Sequence, residues 1–227
     1  MFNYIRDPDE IYRRSFAAVR AEADLARLSP AIEEVAVRLV HACGMPDITA
    51  DLAFSEGAAE AGRQALRSGA PVLVDGEMLR AGIVKDRLPA ANTILCTLHR
   101  PETPSLARKT GTTRAAAAVE LWRRHLEGAV VAIGNAPTAL FRLLELLAEG
   151  AGPPALIAAF PVGFVGAAES KEALIADAGA VPYVTLRGRR GGSALAAATI
   201  NALGNAPGGK GPGGKGPGGN GPGGNGQ

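Results

Sequence analysis

Five short apolar runs separated by helix-like stretches constrain this chain more than any other feature. They are Pro71–Asp75, Thr93–Leu98, Ala129–Ile133, Ala155–Phe160 and Tyr183–Leu186. A strand with one wet face alternates apolar and polar residues. These runs are nearly continuous, which predicts strands covered on both faces. Helical segments fall between them: Ser55–Ser68, a short one around Met78, Ser105–Lys109 with Thr113–Leu126, Thr138–Ala148 and Ala167–Ala178. A last one runs from Ser193 to Leu203. Strands that alternate with helices fold into a doubly wound, mainly parallel five-stranded α/β sheet with helices on both faces.

Two helices precede the alternation. Asp7, Pro8 and Glu10 form a start signal of capping-box type, and Tyr12, Phe16, Val19 and Ala23 then recur on one side. Ser15 lies beside that stripe. Ser29-Pro30 starts the second helix, which buries Ile32, Val35, Ala36, Leu39 and Val40 and stops at Gly44. Glu34, Arg38 and His41 share a different face of it.

The charge balance narrows the function classes. The net charge is +2, and Lys210 and Lys215 of the C-terminal repeat supply it, so the rest of the chain is neutral. A nucleic-acid-binding domain carries a basic excess that is absent here. Outside the repeat the lysines are Lys85, Lys109 and Lys171; every other fixed cation is Arg. Arg is the better fork for carboxylates, although a GC-rich genome produces the same bias. The N-terminal residues carry no apolar signal core, and no apolar run spans a bilayer, so the cytoplasm is the expected compartment.

Ligands of doubly wound sheets sit beyond the carboxyl ends of the strands. The segments expected there are Asp75-Gly76, Thr97–Arg100, Gly134–Pro137, Pro161–Gly166 and Arg187–Gly192. His41, in the last turn of its helix, reads in two ways. It is a C-terminal helix cap, or it is a general acid whose protonated ring the dipole favours and Arg38 opposes. Arg114 follows the cap Thr112-Thr113, where a cation faces the positive end of the dipole; it is an exposed Arg or part of an anion site. Arg187-Gly188-Arg189-Arg190-Gly191-Gly192-Ser193 is likewise a solvated basic turn or a polyanion loop.

Several chemistries lack their motif. Gly163–Lys171 contains Ser170-Lys171 but not the Gly-Lys-Ser/Thr ending of a Walker loop, and no GxGxxG follows a strand. Ser193 is outside any GxSxG elbow. Cys96 and His99 have a CxxH spacing with His125 in reserve, but Cys96 falls inside a strand and four ligands are wanting, so no metal site is expected. Neither Cys43 nor Cys96 belongs to a CxxC pair.

Longer motifs carry a resemblance. Tyr4–Asp7, Ile11-Tyr12, Arg14–Phe16, Val40–Gly44, Ala132–Leu140, Pro161–Lys171, Arg187-Gly188 and Gly191–Ser193 occur in an order similar to the precorrin-8X methylmutase family, over about Tyr4 to Leu203. The resemblance implies a flavodoxin-like sheet and a homodimer with a shared site at the subunit interface. It implies migration of a methyl group from C11 to C12 of precorrin-8X to give hydrogenobyrinate, with no cofactor and no metal. It places the catalytic histidine on His41, a substrate-binding arginine on Arg114, and Ser15 and Arg38 beside the substrate. Two other readings stay open: a cobalt-precorrin-8 methylmutase of the anaerobic pathway, and a corrin-binding carrier without catalysis.

Residues 1–204 are expected to form the isomerase domain. Residues 205–227 read as a Gly/Pro repeat of period five, unlike the three-residue collagen repeat, and are expected to be a flexible tail.

Overall fold

The computed structural model describes residues 2–205; the repeat from residue 206 onward lies outside the described residues. The helices are α1 (Pro8–Glu22), α2 (Pro30–Cys43), α3 (Ala58–Arg67), α4 (Glu77–Gly82), α5 (Glu102–Thr110), α6 (Arg114–Glu120), α7 (Pro137–Ala148), α8 (Ala167–Asp177) and α9 (Ser193–Gly204). The strands are β1 (Leu52–Phe54), β2 (Val72–Val74), β3 (Ile94–Cys96), β4 (Val130–Ile133), β5 (Leu156–Ala159) and β6 (Tyr183–Leu186). Short 3₁₀ turns cover Pro46–Asp51, Lys85–Arg87 and Arg123–His125.

The five expected strands β2 to β6 are all present and parallel, in the order β3-β2-β4-β5-β6. That is the flavodoxin-like order, with its switch point between β2 and β4. A sixth strand was not expected. β1 pairs antiparallel with β6, with Ala53 opposite Thr185, and closes that edge. Three residues are too few to show a period, so its pairing, not its composition, makes it a strand. Ser55 prolongs the pairing: its N–H donates to the Tyr183 carbonyl, and its hydroxyl accepts from the Tyr183 N–H. Helix α3 therefore starts at Ala58 and not at Ser55.

Successive strand residues face opposite layers, as a pleated strand requires. Val72, Val74, Val130, Ala132, Leu156 and Ala158 pack under α2, α3 and α9. Leu73, Val131, Ile133, Ile157 and Ala159 pack under α6, α7 and α8. α9 carries no charged residue, and Leu195, Ala196, Ala197, Ile200 and Leu203 are all buried, because it lies between the sheet and the outer helices α2 and α4.

One helix start and one helix end also differ from the sequence reading. Asp7 does cap α1, accepting from the Asp9 N–H at 3.0 Å, but Glu10 turns to Arg13 and Arg14 in place of closing a capping box. α6 ends at Glu120 and gives way to the 3₁₀ turn before Leu126, so that Trp122 and Leu126 both enter the core.

Candidate active site

α1 lies across α2 near its C-terminal end, and aromatic residues make the contact. Tyr12 and Phe16 stack at 4.1 Å, and the Phe16 ring stands 4.9 Å from the His41 imidazole. The sequence places these rings on one helical stripe. Both remain partly exposed and form a wall of the site. Ser15, one residue off the stripe, places its Oγ 2.9 Å from His41 Nδ1. Arg38 donates from Nη2 to the Tyr12 hydroxyl at 2.9 Å, and its guanidinium stands 5.4 Å from the Phe16 ring centre. Residues 26 positions apart in sequence are thus joined twice across the α1–α2 seam.

Two surroundings of His41 oppose its charge. Partial burial, and then the Arg38 cation, lower its pKa below the ordinary histidine value. The lowered value makes its conjugate acid a better proton donor than that of a free histidine. Because Nδ1 is engaged by Ser15, Nε2 is the nitrogen left for a ligand.

His41 and Arg38 open on a cleft of about 280 Å³ between α2, α4 and α9, lined also by Ala42, Arg87, Ala194 and Asn201. Ala194 belongs to the first turn of α9, which starts beyond the carboxyl end of β6. The cleft is therefore beside the rim where ligands of such sheets bind.

At the switch point itself the chain supplies its own anion. Asp75, immediately after β2, is buried, and its carboxylate accepts from the backbone N–H groups of Gly134, Asn135 and Ala136, each at 2.9 Å. Burial pushes its carboxyl above the ordinary value, against the pull of these donors. Donors that could cradle a phosphate are thus already used. Gly134 also lets α9 approach: a Cβ there would stand 2.7 Å from Ser193 Cα. One carboxylate so fixes the loop on which the start of α9 rests.

The arginine-rich loop after β6 departs from its polyanion reading. Arg190 reaches Asp47 and Asp51 at 2.5 and 2.6 Å, Arg187 pairs with Glu172, and Arg189 covers the Phe164 ring at 5.5 Å. Two of the three guanidiniums are neutralised by the chain. Lys171 is wholly buried and donates to the Arg190 carbonyl at 2.7 Å; burial brings its pKa down to about 8. Gly191 has no room for a side chain, since a Cβ would sit 2.3 Å from the Phe160 carbonyl oxygen. The loop is a brace that ties α8 and β5 to the turn following α2.

Arg114 stands apart from the other three. Its cap is as expected, with Thr113 Oγ1 accepting from the Ala116 N–H and also meeting Thr138 Oγ1 at 2.8 Å. α6, however, packs on α5 and α7, in the layer opposite α2. Arg114 is exposed there, so one protomer unites Ser15, Arg38 and His41 but leaves Arg114 outside. Among the described residues no three His, Cys, Asp or Glu side chains form a metal-holding group. Cys96 sits beside Glu77, and burial pushes its thiol up to about 11.

The model of the precorrin-8X methylmutase family matches residues 10–206. The chain belongs to the precorrin-8X methylmutase family. It is 61% identical over 203 residues to the precorrin-8X methylmutase of Pseudomonas aeruginosa, spanning 89% of this chain and 98% of that protein. It is 39% identical over 196 residues to the cobalt-precorrin-8 methylmutase of Methanothermobacter thermautotrophicus, spanning 86% and 91%. The crystal structure of a precorrin-8X methylmutase from Thermus thermophilus is similar at a TM-score of 0.78 and 40% identity, over 86% of this chain and 94% of that one.

Membership in the methylmutase family connects the long motifs to their physical work. Gly134–Pro137 is the loop held by Asp75, and Ser170-Lys171 with Gly191-Gly192 is the brace beneath the rim. Arg87, Tyr12 and Phe16 face the cleft or line its entrance without having been singled out as site residues. For Tyr12 and Phe16 the helical spacing was visible, but spacing does not separate a core stripe from a ligand wall.

Proposed function

We propose that this protein is an isomerase of cobalamin biosynthesis that moves a methyl group from C11 to C12 of precorrin-8X, giving hydrogenobyrinate. The observation that carries the reading is the Ser15–His41 pair facing a cleft beside Arg38. A methyl shift within one ring system is redox-neutral and needs no external electron acceptor. His41, protonated, donates its proton to the conjugated macrocycle through Nε2; the methyl group migrates, and a proton returns from the rearranged ring. Ser15 holds the imidazole in the orientation for this transfer. Arg38 neutralises a peripheral carboxylate of the substrate. Positioning a large ligand supplies much of the rate. The greater identity with a precorrin-8X methylmutase than with a cobalt-precorrin-8 methylmutase supports a metal-free ring.

The site is proposed to be shared between two copies in a homodimer. The cleft of one protomer, about 280 Å³, falls just below the range of about 300–1,000 Å³ for ligand pockets. The protomer also leaves large apolar side chains without cover: Phe2 and Tyr4 on the N-terminal arm, Phe164 and Val165 on the loop after β5. In such a dimer Arg114 of one copy serves the substrate held by the other. Residues 1–204 act as the isomerase domain, and the cytoplasm is the proposed compartment. Among the described residues no helix is long and apolar enough to cross a membrane.

The deciding experiment mixes purified protein with precorrin-8X and follows the absorbance of hydrogenobyrinate. Conversion supports the reading. Tight binding of hydrogenobyrinate without conversion overturns it in favour of a carrier, and turnover of cobalt-precorrin-8 alone overturns the metal-free ring.

A further inference from the structure

Arg87 ends the 3₁₀ turn after α4 and lines the same cleft as His41 and Arg38. It is partly buried, and the charged neighbour felt by its guanidinium is the Arg38 cation. Burial first, and Arg38 next, depress its pKa, so both effects oppose its charge. Two guanidiniums converge on one cleft, and among the described residues neither is matched by a carboxylate. Such an arrangement costs folding free energy unless an anion completes it.

The backbone that carries Arg87 is held firmly. Asn201 of α9 clamps the approach: its Oδ1 accepts from the Val84 N–H at 2.8 Å, and its Nδ2 donates to the Gly82 carbonyl at 2.9 Å. At the other end, a Cβ on Gly204 would stand 2.7 Å from the Arg87 carbonyl oxygen. Both anchors lie on α9, the most buried helix. A guanidinium placed on a fixed backbone loses little freedom when it binds.

We propose that Arg87 is a substrate-binding residue that, together with Arg38, grips a peripheral carboxylate of the corrinoid beside His41. The inference rests on the methylmutase reading and adds to it a second cation on the His41 side of the site. It also assigns Asn201 a positioning role, acting through the segment from Gly82 to Arg87. An uncharged ligand edge would gain nothing from this pair.

The test uses Arg87→Met, which keeps the apolar stem, and Arg87→Lys, which keeps the charge. Hydrogenobyrinate and its fully methyl-esterified form are titrated by absorbance against wild type and both variants. Arg87→Met is expected to weaken binding of the polyacid about tenfold or more, with Arg87→Lys intermediate. The ester should bind wild type and Arg87→Met alike, and KM for precorrin-8X should rise more than kcat falls. Equal affinity of wild type and Arg87→Met for the polyacid would overturn the proposal, as would an equal loss for polyacid and ester. Failure of the wild-type protein to bind either corrinoid or to convert precorrin-8X would instead overturn the methylmutase reading, and this proposal with it.

Discussion

In the layer covering one face of the sheet, Arg142 is enclosed by carboxylates. It pairs with Glu120, Glu145 at 2.6 Å and Glu149 at 2.8 Å, and Arg123 joins the same acids. These partners raise its pKa above the ordinary value. In the layer on the other face, Arg38 meets the Tyr12 hydroxyl and the Phe16 ring and opposes charge on His41 and on Arg87, and among the described residues neither arginine is paired with a carboxylate. Both layers bury apolar side chains against the strands. One set of charges is closed within the protein and braces helices. The other is left open beside a titratable ring, where the proposed anionic ligand would complete it. The loop after β6 shows that a local cluster of arginines does not identify the open kind. Arg187 and Arg190 look like an anion site in sequence and are closed by Glu172, Asp47 and Asp51.

Removing the centre of the open layer should have the largest effect. His41→Ala is expected to lower kcat by about 10²–10⁴, the usual worth of a positioned proton donor. The melting temperature should stay close to that of wild type, because His41 is exposed and its loss opens no core cavity. Steady-state turnover of precorrin-8X with parallel thermal melts checks both. Full activity in this variant would remove the proton-donor role and with it the meaning given to the open layer.

Asp75 belongs to neither layer and joins them, so its loss should be felt as stability. Asp75→Asn retains the shape, but its amide NH₂ would confront N–H donors that now meet a carboxylate oxygen. The expected cost is about 2–4 kcal/mol, read from the urea midpoint. A shift near zero would show that the Gly134 loop holds itself.

Arg38→Gln separates the two jobs of the cleft cations. KM should rise about tenfold through loss of a charged contact. The pH profile should also move in a determined direction. Burial and Arg38 hold the His41 pKa low; removing the cation raises it. A proton donor is active below its pKa and loses activity as pH rises through it. The falling limb of kcat/KM should therefore shift to higher pH in Arg38→Gln. An unmoved limb would assign it to another group.

Legibility in sequence followed the same physical lines. The five parallel strands could be read because strands covered on both faces are continuous apolar runs, and their order followed from the resemblance. β1 could not, since its identity lies in backbone bonds to Tyr183–Leu186, more than 120 residues away. Ser15 and His41 fall on motifs of the family and Arg38 matches a position near the substrate, yet the residues alone left His41 between a cap and an acid. The contact with Ser15 is a tertiary one, and no spacing rule links positions 15 and 41. Arg87 gave no local signal, because its significance comes from Asn201 and Arg38, both distant in sequence. Arg114 is legible as a cation out of place at a helix start and as a match to the family; its place in the layer opposite α2 is visible in the structure alone.

The smallest effect should come from the closed layer. Arg142→Met removes the hub of three ion pairs but leaves Arg123 bonded to Glu149 at 2.6 Å and near Glu120 at 3.8 Å. The pairs stand at the surface, and salt and solvent screen them. The melting temperature should fall by no more than a few degrees, and turnover of precorrin-8X should not change. The pH dependence has a sign as well. Arg123 first and Arg142 second hold Glu149 below the ordinary carboxylate range, so the stability it contributes is present above that range and is lost as pH falls through its lowered value. The gap between wild type and Arg142→Met should therefore be widest near neutral pH and close in acid. A gap that persists in acid would mean that Arg142 acts through its packed stem and not its charge. A fall in activity would mean that the two layers are coupled, and the division between closed and open cations would fail at its simplest point.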